Sequence, residues 1–203
     1  DIENSLGGAD VTLRKSPESY LKLQAGRSKG PGGVTSTSVD GGFDFGTTDA
    51  FDETEEDATA YRADAQVGFK DVFDDGRGRV SLYLQDVGAG YSAPGQATDR
   101  DLTQYGGMAE FPFTSQLFAR LKVDLQNQKD GLDTNTGELD LDYKFGDHWT
   151  LSAGVRHDSR EDSSPVVPET QEEGDLTDAV VQLRYDSNRS WSTYGFAQET
   201  VQK

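Results

Sequence analysis

Leu117-Phe118-Ala119-Arg120-Leu121-Lys122-Val123-Asp124-Leu125-Gln126 alternates at every step. Leu117, Ala119, Leu121, Val123 and Leu125 fall on one side, and Phe118, Arg120, Lys122, Asp124 and Gln126 on the other. A strand turns its side chains to opposite faces at successive residues, so this pattern gives one apolar and one polar face. A helix would split the same five residues between opposite sides, Leu117, Leu121 and Leu125 on one and Ala119 and Val123 on the other.

The same period recurs along the chain. Tyr61, Ala63, Ala65, Val67 and Phe69 oppose Arg62, Asp64, Gln66, Gly68 and Lys70. Leu139, Leu141, Tyr143 and Phe145 oppose Asp140, Asp142 and Lys144, while Trp149, Leu151, Ala153 and Val155 oppose Thr150, Ser152, Gly154 and Arg156. Fainter versions cover 11–15, 20–27, 80–85, 105–113, 179–186 and 191–201. The reading is an all-β, antiparallel up-and-down meander, a β-barrel or barrel segment of about ten strands, within a single domain over 1–203. Short turns are expected at 15–19, 74–79, 114–116, 146–148 and 186–190. Long polar loops are expected at 28–59, 86–101, 127–137 and 158–178. Short turns on one side and long loops on the other is the arrangement of outer-membrane barrels.

Composition narrows the function. Hydrophobic residues make up only 33% of the chain, yet it holds 10 Phe, 8 Tyr and 2 Trp. That balance fits strands that are apolar on one face only. The net charge of −18 argues against a nucleic-acid partner, and the lack of Cys removes disulfides and thiolate metal sites.

Alternation alone does not say which face points inward, because a soluble barrel is apolar inside and a membrane barrel is apolar outside. The aromatic residues favour the membrane form. Phe69, Phe73, Phe111, Phe113, Tyr143, Phe145, Trp149, Tyr185 and Trp191 stand beside the short turns, and mid-strand positions such as Ala65, Ala119 and Ala153 are smaller. Rings gathered at one level form a girdle at a membrane interface. The lumen-facing charges would then be Arg62, Asp64, Lys70, Glu110, Arg120, Lys122, Asp124, Asp140, Asp142, Arg156 and Arg184. In a wide barrel they line water and set ion selectivity; in a narrow one they pair across strands and fill the lumen.

The segments Gly8-Ala9-Asp10-Val11-Thr12-Leu13-Arg14-Lys15-Ser16, Leu21-Lys22-Leu23-Gln24-Ala25-Gly26-Arg27-Ser28 and Asp40-Gly41-Gly42-Phe43 resemble a known architecture. It is the porin-like outer-membrane barrel region of large Gram-negative surface proteins that carry extracellular repeat domains. Trp149–His157 and Tyr194–Thr200 are similar to its later strands. The resemblance implies an envelope anchor or pore in the bacterial outer membrane, with no enzymatic role. Such barrels end in an aromatic residue, whereas this chain reads Val201-Gln202-Lys203, so a fragment of a longer chain is expected. The rival reading is a secreted or released β-rich chain whose copies assemble into an extracellular fibre or layer. Its partners are copies of itself rather than outer-membrane lipid.

Other chemistry is sparse. His148 sits in a short turn and His157 at an expected strand end, without a second His or a Cys nearby in sequence. No Gly-x-Ser-x-Gly elbow occurs. Gly30-Pro31-Gly32-Gly33 lacks a following helix, so it reads as loop rather than phosphate cradle. Acidic runs offer candidate Ca²⁺ ligands in Asp52, Glu53, Glu55, Glu56 and Asp57, with a similar run over 161–175. The plainer reading is a solvated, self-repelling loop. Asp133-Thr134-Asn135-Thr136-Gly137 resembles the start of a Ca²⁺ loop with its Gly one position early, and reads more simply as a hairpin tip.

Overall fold

The computed structural model describes residues 5–31, 36–37, 46–47, 55–93, 96–98, 100–163, 173–187 and 191–202. Ten strands form one antiparallel sheet in simple sequence order, with every neighbour in the sheet a neighbour along the chain. They are β1 (Ser5–Ser16), β2 (Ser19–Pro31), β3 (Glu55–Gly68), β4 (Arg79–Val87) and β5 (Leu102–Pro112). Then follow β6 (Leu117–Gln128), β7 (Leu132–Phe145), β8 (Trp149–Asp162), β9 (Gly174–Asp186) and β10 (Ser192–Gln202). Two-residue ladders at 36–37 with 46–47, and at 92–93 with 96–97, lie outside this sheet. β1 and β10 are its two edges and do not pair with each other, so the sheet is open.

Apolar matching sets the register. Phe111 faces Ala119, Ala109 faces Leu121 and Glu110 faces Arg120. Around the next short turn Phe145 faces Trp149, Tyr143 faces Leu151 and Glu138 faces Arg156. A slip of one residue would carry each of these apolar side chains to the polar face.

Several expected boundaries are corrected. The 127–137 segment is not a long loop: β6 runs to Gln128, β7 starts at Leu132, and Asp130 turns the chain with φ 52°. Asp133 and Gly137 therefore lie in an extended strand rather than at the hairpin tip, with Asp133 accepting hydrogen bonds from Asn127 and the Gln128 amide. Strands there are polar on both faces, which hid them from an apolar–polar count. β8 likewise continues past His157, placing it inside the strand opposite Gly137 and Thr177. Phe69 and Lys70 leave β3 for a short 3-10 turn, Phe69–Asp71.

The exposure pattern is inverted relative to a soluble sheet. In β7, Leu139, Leu141 and Tyr143 are exposed, while Glu138, Asp140 and Asp142 between them are half-buried. Buried apolar residues number three among those described: Ala58, Val87 and Ala119. Side chains crowd on the polar face and splay on the apolar one, as they do when a sheet bends toward its polar side.

In the odd-numbered strands β3, β5, β7 and β9 the apolar face forms a band of equal height, while it is longer in β6 (Leu117 to Leu125) and shorter in β4 (Val80 to Leu84). The band comprises Tyr61, Ala63, Ala65 and Val67 in β3, then Tyr105, Gly107, Ala109 and Phe111 in β5. In β7 it is Leu139, Leu141, Tyr143 and Phe145, and in β9 Ala179, Val181, Leu183 and Tyr185. Each set spans seven residues, from 61–67 to 179–185. Beyond it toward the longer loops the same face turns polar, at Thr59, Thr103, Asn135 and Thr177.

This band does not follow the hydrogen-bonded rows. One row joins Gln66, Ser81, Met108, Lys122, Glu138, Arg156 and Asp178. The band begins five residues before that row in β3, three before it in β5, and one after it in β7 and β9. The strand ends at the short turns climb in parallel: Gly68 is two residues past the row, Pro112 four, Phe145 seven and Asp186 eight. A drift of six residues over the six steps from β3 to β9 corresponds to a strand tilt of roughly 35° against the band.

Candidate functional site

The richest chemistry lies on the polar face, where the register brings Arg62, Asp64, Glu110, Arg120, Lys122, Asp124, Asp140, Asp142, Arg156 and Arg184 together. Lys70 does not join them, because it sits in the 3-10 turn beyond β3.

Two adjacent rows alternate in sign across four strands each. Arg79, Glu110, Arg120 and Asp140 form one, and Lys122, Glu138, Arg156 and Asp178 the next. The Glu110 side chain is 13% exposed and pairs with both Arg79 and Arg120. Arg156 donates to Asp158 at 2.7 and 3.0 Å, and the Thr136 hydroxyl donates to the same carboxylate at 2.6 Å. Glu110 is thus paired across strands on both sides, whereas Arg156 is paired within its own strand.

A second cluster bridges two strands at once. The Tyr83 hydroxyl donates to Asp124, although β5 lies between their strands. It passes over Gly106, where a Cβ would stand 2.9 Å from the tyrosine ring and 2.4 Å from the Val123 carbonyl. Glycine is required there because the ring occupies the space a side chain would take. The Gln104 amide completes Asp124 at 3.0 Å. Arg62 donates to Asp64 at 2.7 Å and to Gln85 at 2.8 Å, with its guanidinium 5.3 Å from the Tyr83 ring centre. Alternation places Arg62 and Asp124 on the polar face, but Tyr83 and Gly106 are legible only once the register sets them in one row with Asp124.

At the short-turn end the polar face opens into a cavity of about 690 Å³. Arg77, Lys144 and Arg184 line it, with Asp142, Asp186 and the hydroxyls of Thr114, Ser115, Thr150 and Ser152. Ser152 donates to Asp142, and Arg184 donates to Asp186 at 2.8 Å. This mouth carries more basic than acidic side chains in a chain of net charge −18.

The expected aromatic rim forms a contact series. Phe69 stacks on Phe111 at 5.5 Å, and Phe111 on Phe113 at 6.0 Å. Further along, Tyr143, Phe145, Trp149, Tyr185 and Trp191 run in sequence at 6.3, 6.3, 4.9 and 5.3 Å. Phe73 is 63% exposed in the turn after Phe69–Asp71. Behind that rim Asp71 clamps two hairpins: the Ser16 and Ser19 hydroxyls donate to its carboxylate, and Lys15 Nζ donates to its carbonyl at 2.6 Å. Those hydroxyls hold the Asp71 carboxyl below its usual range.

Of the acidic run, Asp52 and Glu53 lie outside the described residues. Glu55 and Glu56 belong to β3 rather than to a loop, and Asp57 pairs with Arg27. Among the described residues, no group of three or more His, Asp or Glu side chains is arranged to hold a metal ion. His148 Nδ1 contacts the Asp186 carbonyl at 2.8 Å, and His157 Nδ1 contacts the Thr177 hydroxyl at 2.9 Å. Among the described residues no helix is long and apolar enough to cross a membrane. No family model, curated protein or solved structure matches the chain.

Proposed function

We propose that this chain is a segment of a bacterial outer-membrane β-barrel wall, acting as a structural anchor or passive pore with no catalytic role. The observation that carries this reading is the apolar band, seven residues tall in β3, β5, β7 and β9, whose two boundaries cross the hydrogen-bonded rows obliquely and in parallel from β3 to β9. A soluble core has no need of two parallel boundaries. A lipid slab imposes them on tilted strands, and roughly 35° matches the tilt typical of barrels. Seven residues cover about 20 Å along a strand, or about 16 Å of height at that tilt, and the rings just beyond the band, Phe69, Phe113 and Trp191, extend the apolar belt on the short-turn side toward the roughly 25 Å of an outer-membrane barrel. The series of ring contacts from Tyr143 to Trp191 lies along one boundary, where amphipathic rings settle between lipid tails and headgroups.

On this reading the polar face looks into the lumen. Its alternating charge rows neutralise one another. Flotation with liposomes tests the proposal. Chain refolded from denaturant in the presence of vesicles should float with them and resist high-salt extraction. Chain that stays soluble and folded in buffer alone, and remains at the bottom of the gradient, would overturn it.

A further inference from the structure

We infer that the polar face between β1 and β4 holds a binding site for a neutral sugar, beneath Tyr91 and against Asp10, Gln24 and Gln85. The register builds it from two adjacent rows. Gly8, Gly26, Ala60 and Val87 form one row across the four strands, and Asp10, Gln24, Arg62 and Gln85 form the next. The first row is a shelf without polar side chains, about 14 Å long at three strand spacings. The second is a wall of planar polar groups beside it. Together they line a cavity of about 370 Å³, within the roughly 300–1,000 Å³ of small-ligand sites.

The third side is the connection after β4, which folds over the shelf. The Gly88 amide donates to the Thr59 carbonyl at 2.9 Å, and the Ser92 amide donates to the Ser28 hydroxyl at 3.0 Å. Between these anchors the Tyr91 amide donates to the Gly88 carbonyl at 3.1 Å, and the Tyr91 carbonyl accepts from the Thr98 amide at 3.0 Å. The Tyr91 ring lies on Gly26, where a Cβ would stand 2.5 Å from the phenol oxygen. Val87 and Ser28 are buried beneath this connection. A site held in place before its ligand arrives loses little freedom on binding.

The lining groups select the ligand class. The Asp10 carboxylate, the Gln24 amide and the Tyr91 hydroxyl make no side-chain hydrogen bond among the described residues. The Gln85 carbonyl accepts from Arg62 at 2.8 Å, which leaves its NH₂ group to donate. A carboxylate and amides side by side hold adjacent hydroxyls, accepting from one and donating to the next. The Tyr91 ring offers an apolar surface to the C–H face of a sugar. Arg62 is engaged by Asp64 at 2.7 Å, so the one unpaired charge in the lining is the Asp10 carboxylate, in a chain of net charge −18. Phosphate and carboxylate ligands are therefore repelled. A cationic amine would meet one carboxylate and leave the amides without partners. The two rows are the same whatever the apolar face meets, so the inference does not rest on the lipid reading.

Saturation-transfer NMR on the whole chain, refolded in a zwitterionic and sugar-free detergent, tests it. Aromatic protons of the protein are saturated, and transfer is read on methyl glucoside, methyl galactoside and methyl mannoside, with propylamine and inorganic phosphate as competitors. At least one glycoside should bind in the millimolar range expected of so small a ligand, and neither competitor should displace it. Gln24→Ala and Asp10→Asn should each weaken that binding by about tenfold, through the loss of one or two hydrogen bonds. Lys22→Ala, in the next row of the same face and outside the cavity, should leave it unchanged. Circular dichroism of each variant separates a lost site from a lost fold. No transfer to any glycoside at tens of millimolar would overturn the inference, and so would equal binding by the unsubstituted chain and all three variants. Displacement by propylamine would give the cavity to a cation and overturn the sugar assignment.

Discussion

Glu110 and Arg120 face each other directly across the β5–β6 hairpin, and the same carboxylate reaches Arg79 on the opposite side. One acidic side chain, 13% exposed, thus holds two arginines that are 44% and 43% exposed. Glu110→Gln leaves both cations on one row without their shared partner. It should lower unfolding stability by about 1 kcal/mol, near the upper end for partly exposed pairs. A double-mutant cycle with Arg120→Gln in chemical denaturation should recover part of that loss; strict additivity would mean the pair does not interact.

Gly106 and Gly195 make a matched comparison. A Cβ at Gly106 would meet the Val123 carbonyl at 2.4 Å, whereas one at Gly195 meets nothing within 4 Å. Gly106→Ala should therefore destabilise by about 1–3 kcal/mol, the range for overpacking, and Gly195→Ala should be neutral or slightly stabilising. Equal effects in thermal unfolding would contradict the crossing of Tyr83 over β5.

Asp71 gives a pH prediction. Its carboxyl is lowered in the folded chain by the Ser16 and Ser19 hydroxyls. A depressed folded value means that its stabilising effect is present above the usual carboxylate range, about 3.9, and is lost as pH falls through the lower folded value. Asp71→Asn should reduce the Tm at neutral pH, and the gap from the unsubstituted chain should close under acid. A gap that persists unchanged at low pH would assign the loss to packing instead of charge.

These residues also mark how far the sequence could be read. The Glu110–Arg120 pairing followed from matching Phe111 to Ala119, because one face of each strand is plainly apolar there. The β6–β7 hairpin escapes an alternation count because Asn127, Asp133 and Asn135 put polar side chains on the apolar face. Alternation continues through Phe69 and Lys70 although the backbone turns away there into the 3-10 turn, so the pattern alone leaves Lys70 on the strand. Tyr83, Gly106 and Asp124 lie on three different strands, and no local pattern links them. The oblique band emerges only from the register of every intervening strand, since no strand alone carries a tilt.

The central claim is that the apolar face meets lipid, and nitroxide scanning along β7 in liposomes tests it most directly. Labels placed singly at 138–143 are read for collision with oxygen, which concentrates in the bilayer, and with a water-soluble nickel chelate. Leu139, Leu141 and Tyr143 should collide mainly with oxygen, and Glu138, Asp140 and Asp142 mainly with nickel or with neither, giving a period of two. Leu139, Leu141 and Tyr143 collisions dominated by nickel, or the loss of that period, would contradict it.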